Sequence, residues 1–135
     1  MERVYTTPLL DKLGVRPGMR IAIVGDVDPD GWLRTMLADR TSDVTVGRPK
    51  ADTDLVFLAA DSQAELADLA ALRERIRPAG AIWVVSRKGR ASTLRDVEVM
   101  AAAKETGLVD NKVVSFSATH TSLRLVIPVA LRPRA

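Results

Sequence analysis

Three short, uninterrupted apolar runs constrain the fold of this chain more than any other feature. They are "RIAIV" (20–24), "DLVFLAA" (54–60) and "AIWVVS" (81–86). Runs of this length, without alternation of apolar and polar residues, are typical of strands buried on both faces of a sheet. "VTV" (44–46) predicts a further short strand. A sheet of this kind needs helices on both sides to cover it.

A helix is predicted between the second and third runs, in "SQAELADLAALRERIRPAG" (62–80). Ser62 and Glu65 have the spacing of a capping box, and leucines then recur every three residues. Pro78 and Gly80 are expected to end the helix.

A second helix is predicted from Ser92 or Thr93 to Thr106, with Gly107 as its C-terminal stop. Its buried face is expected to comprise Leu94, Val97, Met100 and Ala101.

The order of these elements predicts the topology. Strands that alternate with helices imply right-handed crossovers and a largely parallel sheet. The end of the chain, "KVVSFSATHTSLRLVIPV" (112–129), has two apolar runs around a polar turn, which predicts an antiparallel hairpin at one sheet edge. The prediction is one three-layer α/β domain over residues 1–135, with a mostly parallel, Rossmann-like sheet. Its ends, about residues 1–8 and 130–135, are expected to be flexible or peripheral.

Composition narrows the possible environments and partners. No apolar run approaches the roughly 20 residues needed to cross a bilayer, and the start of the chain does not resemble a secretory signal. The absence of cysteine is compatible with the cytoplasm, which we expect as the location. A net charge of +3 permits contact with nucleic acid without arguing for it, and 4% aromatic residues argue against single-strand binding, so nucleic acid is not expected as a partner.

The segment "GDVDPDGW" (25–32) resembles an EF-hand calcium loop only in part. Asp26, Asp28 and Asp30 fall at the first, third and fifth positions of such a loop, but Leu37 stands where the bidentate glutamate is required. A dinucleotide-binding turn fits no better, because Val27 and Pro29 follow Gly25.

A helix start explains the same segment with fewer assumptions. Asp28 is then the N-cap, Pro29 the first helical residue and Asp30 a favourable charge at the positive end of the helix dipole. The helix itself is "WLRTMLAD" (32–39).

A candidate anion site lies in "SRKGRAST" (86–93), between a strand and a helix. Ligands of open parallel sheets bind at the carboxyl ends of the strands, where helix N-termini also offer free N–H groups. The candidate anion-binding residues are Arg87, Lys88, Arg90, Ser92 and Thr93. The alternative is a solvated basic loop, which is common at helix starts.

A cleft is predicted along the same edge of the sheet. Its candidate residues are Gly25, Asp26, Asp61 and Ser86. With the basic loop beside them, the cleft would be acidic at one end and basic at the other.

No metal site is predicted. His120 is the only histidine and there is no thiolate, so we interpret it as a turn residue. A catalytic triad with Ser117 or Ser122 stays open, although no "GxSxG" sequence supports it. Trp32 and Trp83 are expected in the core or in the wall of the cleft.

Three stretches resemble a family of small bacterial proteins of unknown function. They are "TPLLDKLGVRPGMRIAIVG", "DSQAELADLAALRERIRPAGAIWVVSRKG" and "TGLVDNKVVSFSATHTSLRLV", which together span most of the chain. The chain departs from that family at "YTT" (5–7) and at "RLVIPV" (124–129). "MRIAIVGD" and the final hairpin also resemble a shortened class I methyltransferase, which implies a Rossmann-like fold and raises S-adenosylmethionine as a cofactor.

The sequence nevertheless disfavours S-adenosylmethionine. Ile23 stands where methyltransferases carry an acid, and Val27 and Pro29 stand where they carry glycines. No carboxylate follows "VTV" to hold a ribose. We therefore expect no cofactor and a non-catalytic binding or interaction module, with a homodimer and a small anionic ligand as possible partners. The alternatives are a divergent methyltransferase and an enzyme acting on a phosphate substrate.

Overall fold

The computed structural model describes residues 7–133, and within them a six-stranded sheet forms the centre of the fold. The strands are β1 (Ile21–Val24), β2 (Val44–Val46), β3 (Thr53–Ala59), β4 (Ile76–Arg87), β5 (Val109–Ser115) and β6 (His120–Val126). The helices are α1 (Leu9–Lys12), α2 (Trp32–Leu37), α3 (Leu69–Arg73) and α4 (Asp96–Glu105). Short 3-10 segments are Ala64–Asp68, Gly89–Ala91 and Val129–Leu131.

The sheet has the order β2-β1-β3-β4-β6-β5. The first four strands pair in parallel, and β6 pairs antiparallel with both β4 and β5. The predicted α/β class, the mostly parallel Rossmann-like sheet and the C-terminal hairpin at one edge are therefore confirmed. The chain leaves β1 toward β2 and then returns to the other side of β1 for β3. The edge between the exits of β1 and β3 is thus the switch point at which such sheets bind ligands.

Two apolar layers flank the sheet and give the three-layer architecture. One layer packs α3 and α4 on a face that includes Val56 and Ile82. The other packs α1 and α2 on the opposite face, which includes Phe57 and Trp83. Alternate residues of β3 and β4 thus point to opposite layers, as expected for strands covered on both sides.

The helix predicted over residues 62–80 is shorter than expected. Its Ser62–Glu65 capping contacts are present, but its α-helical part ends at Arg73, and Ile76 already begins β4. Pro78 and Gly80 thus lie in the strand rather than closing the helix. Opposite them the pairing of β3 and β4 shifts register between Thr53 and Leu55, which is where a strand tolerates proline and glycine.

The second predicted helix begins later and turns a different face to the core. α4 starts at Asp96 rather than at Ser92 or Thr93, and Val99 and Ala103 are its buried residues. Gly107 adopts a positive φ of 76° directly after the helix, so the predicted stop is confirmed. Of the predicted inward face only Leu94 is buried, while Val97, Met100 and Ala101 are exposed.

Some predictions on the chain ends concern residues beyond the described part. Residues 1–6 and 134–135, including most of "YTT", lie outside it. Among residues 7–133, every helix is too short or too polar to span a bilayer.

Candidate functional site

The loop after β1 packs directly on the end of β3. Gly25 has a positive φ of 80°, and a side-chain carbon at this position would lie 3.3 Å from Ala59 Cβ. A bulkier residue would be strained by the backbone conformation and crowded by its neighbour. The β1 loop and the end of β3 are therefore in close contact at the switch point between these two strands.

A buried carboxylate holds the remainder of this loop. Asp28 is 4% exposed, and its Oδ2 accepts hydrogen bonds from the Arg34 backbone N–H at 2.9 Å and from Arg34 Nε at 3.3 Å. Arg34 is the third residue of α2, so its N–H is one of the groups at the helix start that have no partner within the helix. The protein's own carboxylate thus takes a position at which parallel α/β folds accept an anionic ligand group.

A helix does follow this loop as predicted, but Asp28 and Pro29 lie in the turn before it. α2 begins at Trp32, so Pro29 is not its first residue, and Asp28 to Gly31 form a turn closed by a 2.8 Å bond from Gly31 N–H to the Asp28 carbonyl. Asp28 still caps the helix, because its side chain reaches forward to Arg34. Asp26 and Asp30 are exposed.

The positions at which the sequence disfavours S-adenosylmethionine lie in or beside this loop and at the exit of β2. Ile23 and Val27 are 1% and 5% exposed and belong to the apolar core on the α2 side. After β2 the chain continues with Gly47, Arg48 and Pro49, and Gly47 N–H bonds back to the Ile23 carbonyl at 2.8 Å. The residues that directly follow β2 thus include no carboxylate that could hold ribose hydroxyls.

The exits of β3 and β4 are tied together by Asp61. Its Oδ1 accepts the Arg87 backbone N–H at 2.8 Å, and its Oδ2 lies 3.7 Å from Arg87 Nε. Its carbonyl accepts the hydroxyl of Thr93 at 2.6 Å. The structure thus brings Asp61, a predicted cleft residue, together with Arg87 and Thr93, two predicted anion ligands. Asp61 is the bonding partner of both.

The other candidate anion ligands are spread over the loop. Lys88 Nζ donates to Ser115 Oγ of β5 at 2.8 Å, and Ser92 Oγ donates to the Leu94 carbonyl at 3.2 Å. Arg90 is exposed on the 3-10 turn Gly89–Ala91. Ser86, a predicted cleft residue, is buried within β4 at 3% exposure.

The start of α4 is also capped by the chain itself. Glu98 Oε1 accepts the Arg95 backbone N–H at 3.0 Å, and the Gln63 side-chain amide bonds to the same carboxyl group. The bond from the Arg95 N–H, followed by that from Gln63, holds the pKa of Glu98 below its usual range. An anion would meet this carboxylate rather than free N–H groups.

A crevice at the same edge of the sheet was not predicted from the sequence. It has a volume of about 430 Å³ and lies between the β1 loop and the β5–β6 turn. Trp32 and Phe116 contribute aromatic walls, with ring centroids 5.2 Å apart, and His120 Nδ1 lies 2.8 Å from Thr119 Oγ1. The expectation that Trp32 lines a cleft was the one sequence signal for this site. Its size is within the range of small-molecule sites.

Comparison with known proteins identifies the family. Residues 10–129 match the family described as protein of unknown function DUF3052. The chain belongs to this family. No curated protein matches the chain significantly.

Solved structures of methyltransferases share the fold of this DUF3052 member. A SAM-dependent methyltransferase from Aquifex aeolicus is 15% identical with a TM-score of 0.68, and the match covers 88% of this chain and 87% of that one. Magnesium protoporphyrin IX methyltransferase from Synechocystis PCC 6803, with bound SAM, is 11% identical with a TM-score of 0.56, covering 87% and 74%. The mitomycin 7-O-methyltransferase MmcR is 11% identical with a TM-score of 0.62, covering 82% of this chain but 49% of its own. At these identities the likeness shows the fold alone.

The described part of this DUF3052 member lacks a cluster of side chains that could ligate a metal ion. No group of three or more His, Asp or Glu side chains is placed to hold a metal ion within residues 7–133. Of the three acids in the β1 loop, Asp28 is bound to Arg34, and Asp26 and Asp30 are exposed.

Proposed function

We propose that this protein is a non-catalytic binding module built on a methyltransferase-like scaffold, and that it acts in the cytoplasm. The interactions of Asp28 carry the proposal. A buried carboxylate that binds the start of α2 and the Arg34 side chain holds the β1 loop in a closed form. Opening that loop for a cofactor would leave Asp28 and the Arg34 N–H to find new partners, at a cost of about 1–3 kcal/mol per unsatisfied buried group.

Thermal denaturation with S-adenosylmethionine and S-adenosylhomocysteine tests this proposal. We expect no saturable change in Tm with either compound. A ligand present at a hundred times its Kd would stabilise the fold by about 2.7 kcal/mol, which is roughly 10 °C for a domain of this size. A saturable rise of several degrees would support the alternative, a divergent methyltransferase, and would contradict the proposal.

The proposal includes a weak anion contact at the exit of β4. Arg87 is already paired with Asp61 and Lys88 with Ser115, so Arg90 is the cation of this loop with no side-chain partner among the described residues. An anion bound there would have to share or displace these internal partners. Exposed charge pairs contribute about 0–1 kcal/mol, so low affinity is expected.

Sulfate titration tests the anion contact. We expect a small saturable stabilisation, about 0.4 kcal/mol when sulfate equals its Kd, that is absent in Arg90→Ala and reduced in Lys88→Ala. Arg16→Ala removes an exposed arginine elsewhere and serves as the control for a general salt effect. Equal stabilisation of all four proteins would show that sulfate acts through the solvent and would remove the site.

A further inference from the structure

Helix α4 is apolar on two sides. Val99 and Ala103 are buried against the sheet, but Val97 and Met100 point away from it and are 59% and 41% exposed. Ala101 is exposed beside them. A helix that is apolar on both its inner and outer sides is typical of one that packs against something on each side.

The exposed apolar surface continues from α4 onto its neighbours. Five of the seven large apolar side chains exposed in the described part of the chain lie on these elements, and Met100, Val109 and Leu131 among them line one groove. The patch consists of Val97 and Met100 of α4, Val109 of β5, and Val129 and Leu131 of the last 3-10 turn.

A groove runs along each side of the exposed ridge of α4. One groove, of about 530 Å³, separates Met100 and Lys104 from Val109 and Leu131. The other, of about 400 Å³, separates Val97 and the neighbouring residues of α4 from the segment 63–67. The surface therefore presents a ridge between two grooves, a shape that can receive the ridge of a second helix.

The charges on this ridge are complementary to those of a second, antiparallel copy of the same ridge. Asp96, Met100 and Lys104 are spaced four residues apart, so they form one stripe along the helix, with an acid at one end and a base at the other. All three are exposed, and neither charge has an ion-pair partner among residues 7–133. A two-fold axis through Met100 would place Asp96 of each copy against Lys104 of the other.

We infer that α4 is the interface of a homodimer, in which two copies pack antiparallel about a two-fold axis at Met100. The charges favour a second copy of the chain as the partner. A two-fold rotation places the acidic end of one stripe opposite the basic end of the other. Met100 of each copy lies at the centre, and the apolar patch around it is covered on both copies. This inference does not depend on the closed β1 loop or on any ligand.

Analytical ultracentrifugation with one charge placed at the axis tests the interface. The wild-type protein is expected to sediment at twice the 14.6 kDa of the chain at micromolar concentration. Met100→Glu brings two carboxylates together at the axis and is expected to raise the dimer Kd at least about a hundredfold. Val46→Glu is the matched control, since Val46 is exposed at the opposite sheet edge and its variant is expected to stay dimeric. A monomeric wild-type protein, or equal dimerisation of the Met100 and Val46 variants, would overturn the inference.

Exchange of the two charges tests the register. Asp96→Lys has a lysine at both ends of its stripe and Lys104→Asp has an acid at both ends, so each is expected to dimerise more weakly than wild type. A mixture of the two is expected to form heterodimers, because each lysine then faces an acid. Far-ultraviolet circular dichroism confirms that both variants are folded. Failure of two folded variants to associate on mixing would exclude the antiparallel register. Weakening of the interaction with added salt is the accompanying signature.

Discussion

Trp83→Ala is expected to lower the free energy of unfolding by about 3–5 kcal/mol. Trp83 is fully buried in the middle of β4, and its indole Nε1 donates a hydrogen bond to the Leu13 carbonyl at 3.1 Å. The side chain thereby joins the central sheet to the segment that follows α1. Alanine would leave a cavity on the α2 side of the sheet and an unpaired carbonyl. Urea denaturation followed by circular dichroism measures the loss.

Two further variants separate the contributions to this effect. Trp83→Phe keeps most of the apolar volume and removes the hydrogen bond, so a loss of about 1–3 kcal/mol is expected. Trp32→Ala is the control, because Trp32 is only half buried at the crevice and its loss should be smaller than that of Trp83→Ala. Equal losses at the two tryptophans would contradict the packing described for β4.

Asp28→Ala is expected to destabilise the protein by about 2–3 kcal/mol, the second largest effect. The substitution removes the acceptor of the Arg34 N–H and the ionic partner of the Arg34 side chain. The Arg34 side chain is 45% exposed, so solvent screens that pair and most of the loss comes from the cap. Thermal and urea denaturation measure the change.

Two variants, Asp30→Ala and Asp28→Asn, provide comparisons for the stability loss of Asp28→Ala. Asp30→Ala removes an exposed carboxylate two residues away and is expected to change stability by less than about 0.5 kcal/mol. Asp28→Asn keeps one acceptor oxygen and should fall between the two. A negligible effect of Asp28→Ala would mean that the loop is not held by this carboxylate, and the proposed closure of the cofactor site would lose its basis.

Much of the fold was predictable because buried parallel strands leave a direct mark on a sequence. The apolar runs predicted β1 and β3 to within one residue at each end, since a strand covered on both faces is almost wholly apolar. "VTV" also predicted the bounds of β2, although this edge strand is partly exposed. β4 is longer than its run, because Pro78 and Gly80 lie at a register shift that only the pairing with β3 creates. Gly80 there approaches the Asp54 carbonyl so closely that a side-chain carbon would lie at 2.9 Å.

The orientation of α4 could not be predicted from periodicity. Val97 and Met100 have helical spacing, and so do Val99 and Ala103, so the pattern allows two buried faces. The structure packs Val99 and Ala103 on the sheet and leaves the other pair exposed. The same ambiguity in the sequence is what indicates a second packing partner.

For the candidate site, the sequence determined which chemical groups stand at the strand exits. Asp61, Arg87 and the acids of the β1 loop follow buried strands, and parallel strands end at one edge. Only the tertiary structure decided that Asp61 and Arg87 bind each other, whereas Asp28 binds Arg34, six residues along the chain. Hydrogen bonds between residues 26 or more positions apart, such as that of Asp61 with Arg87, depend on which strands become neighbours. Local sequence specifies a strand or a cap because neighbouring residues create it, whereas the pairing of distant polar groups follows from the order of strands in the sheet.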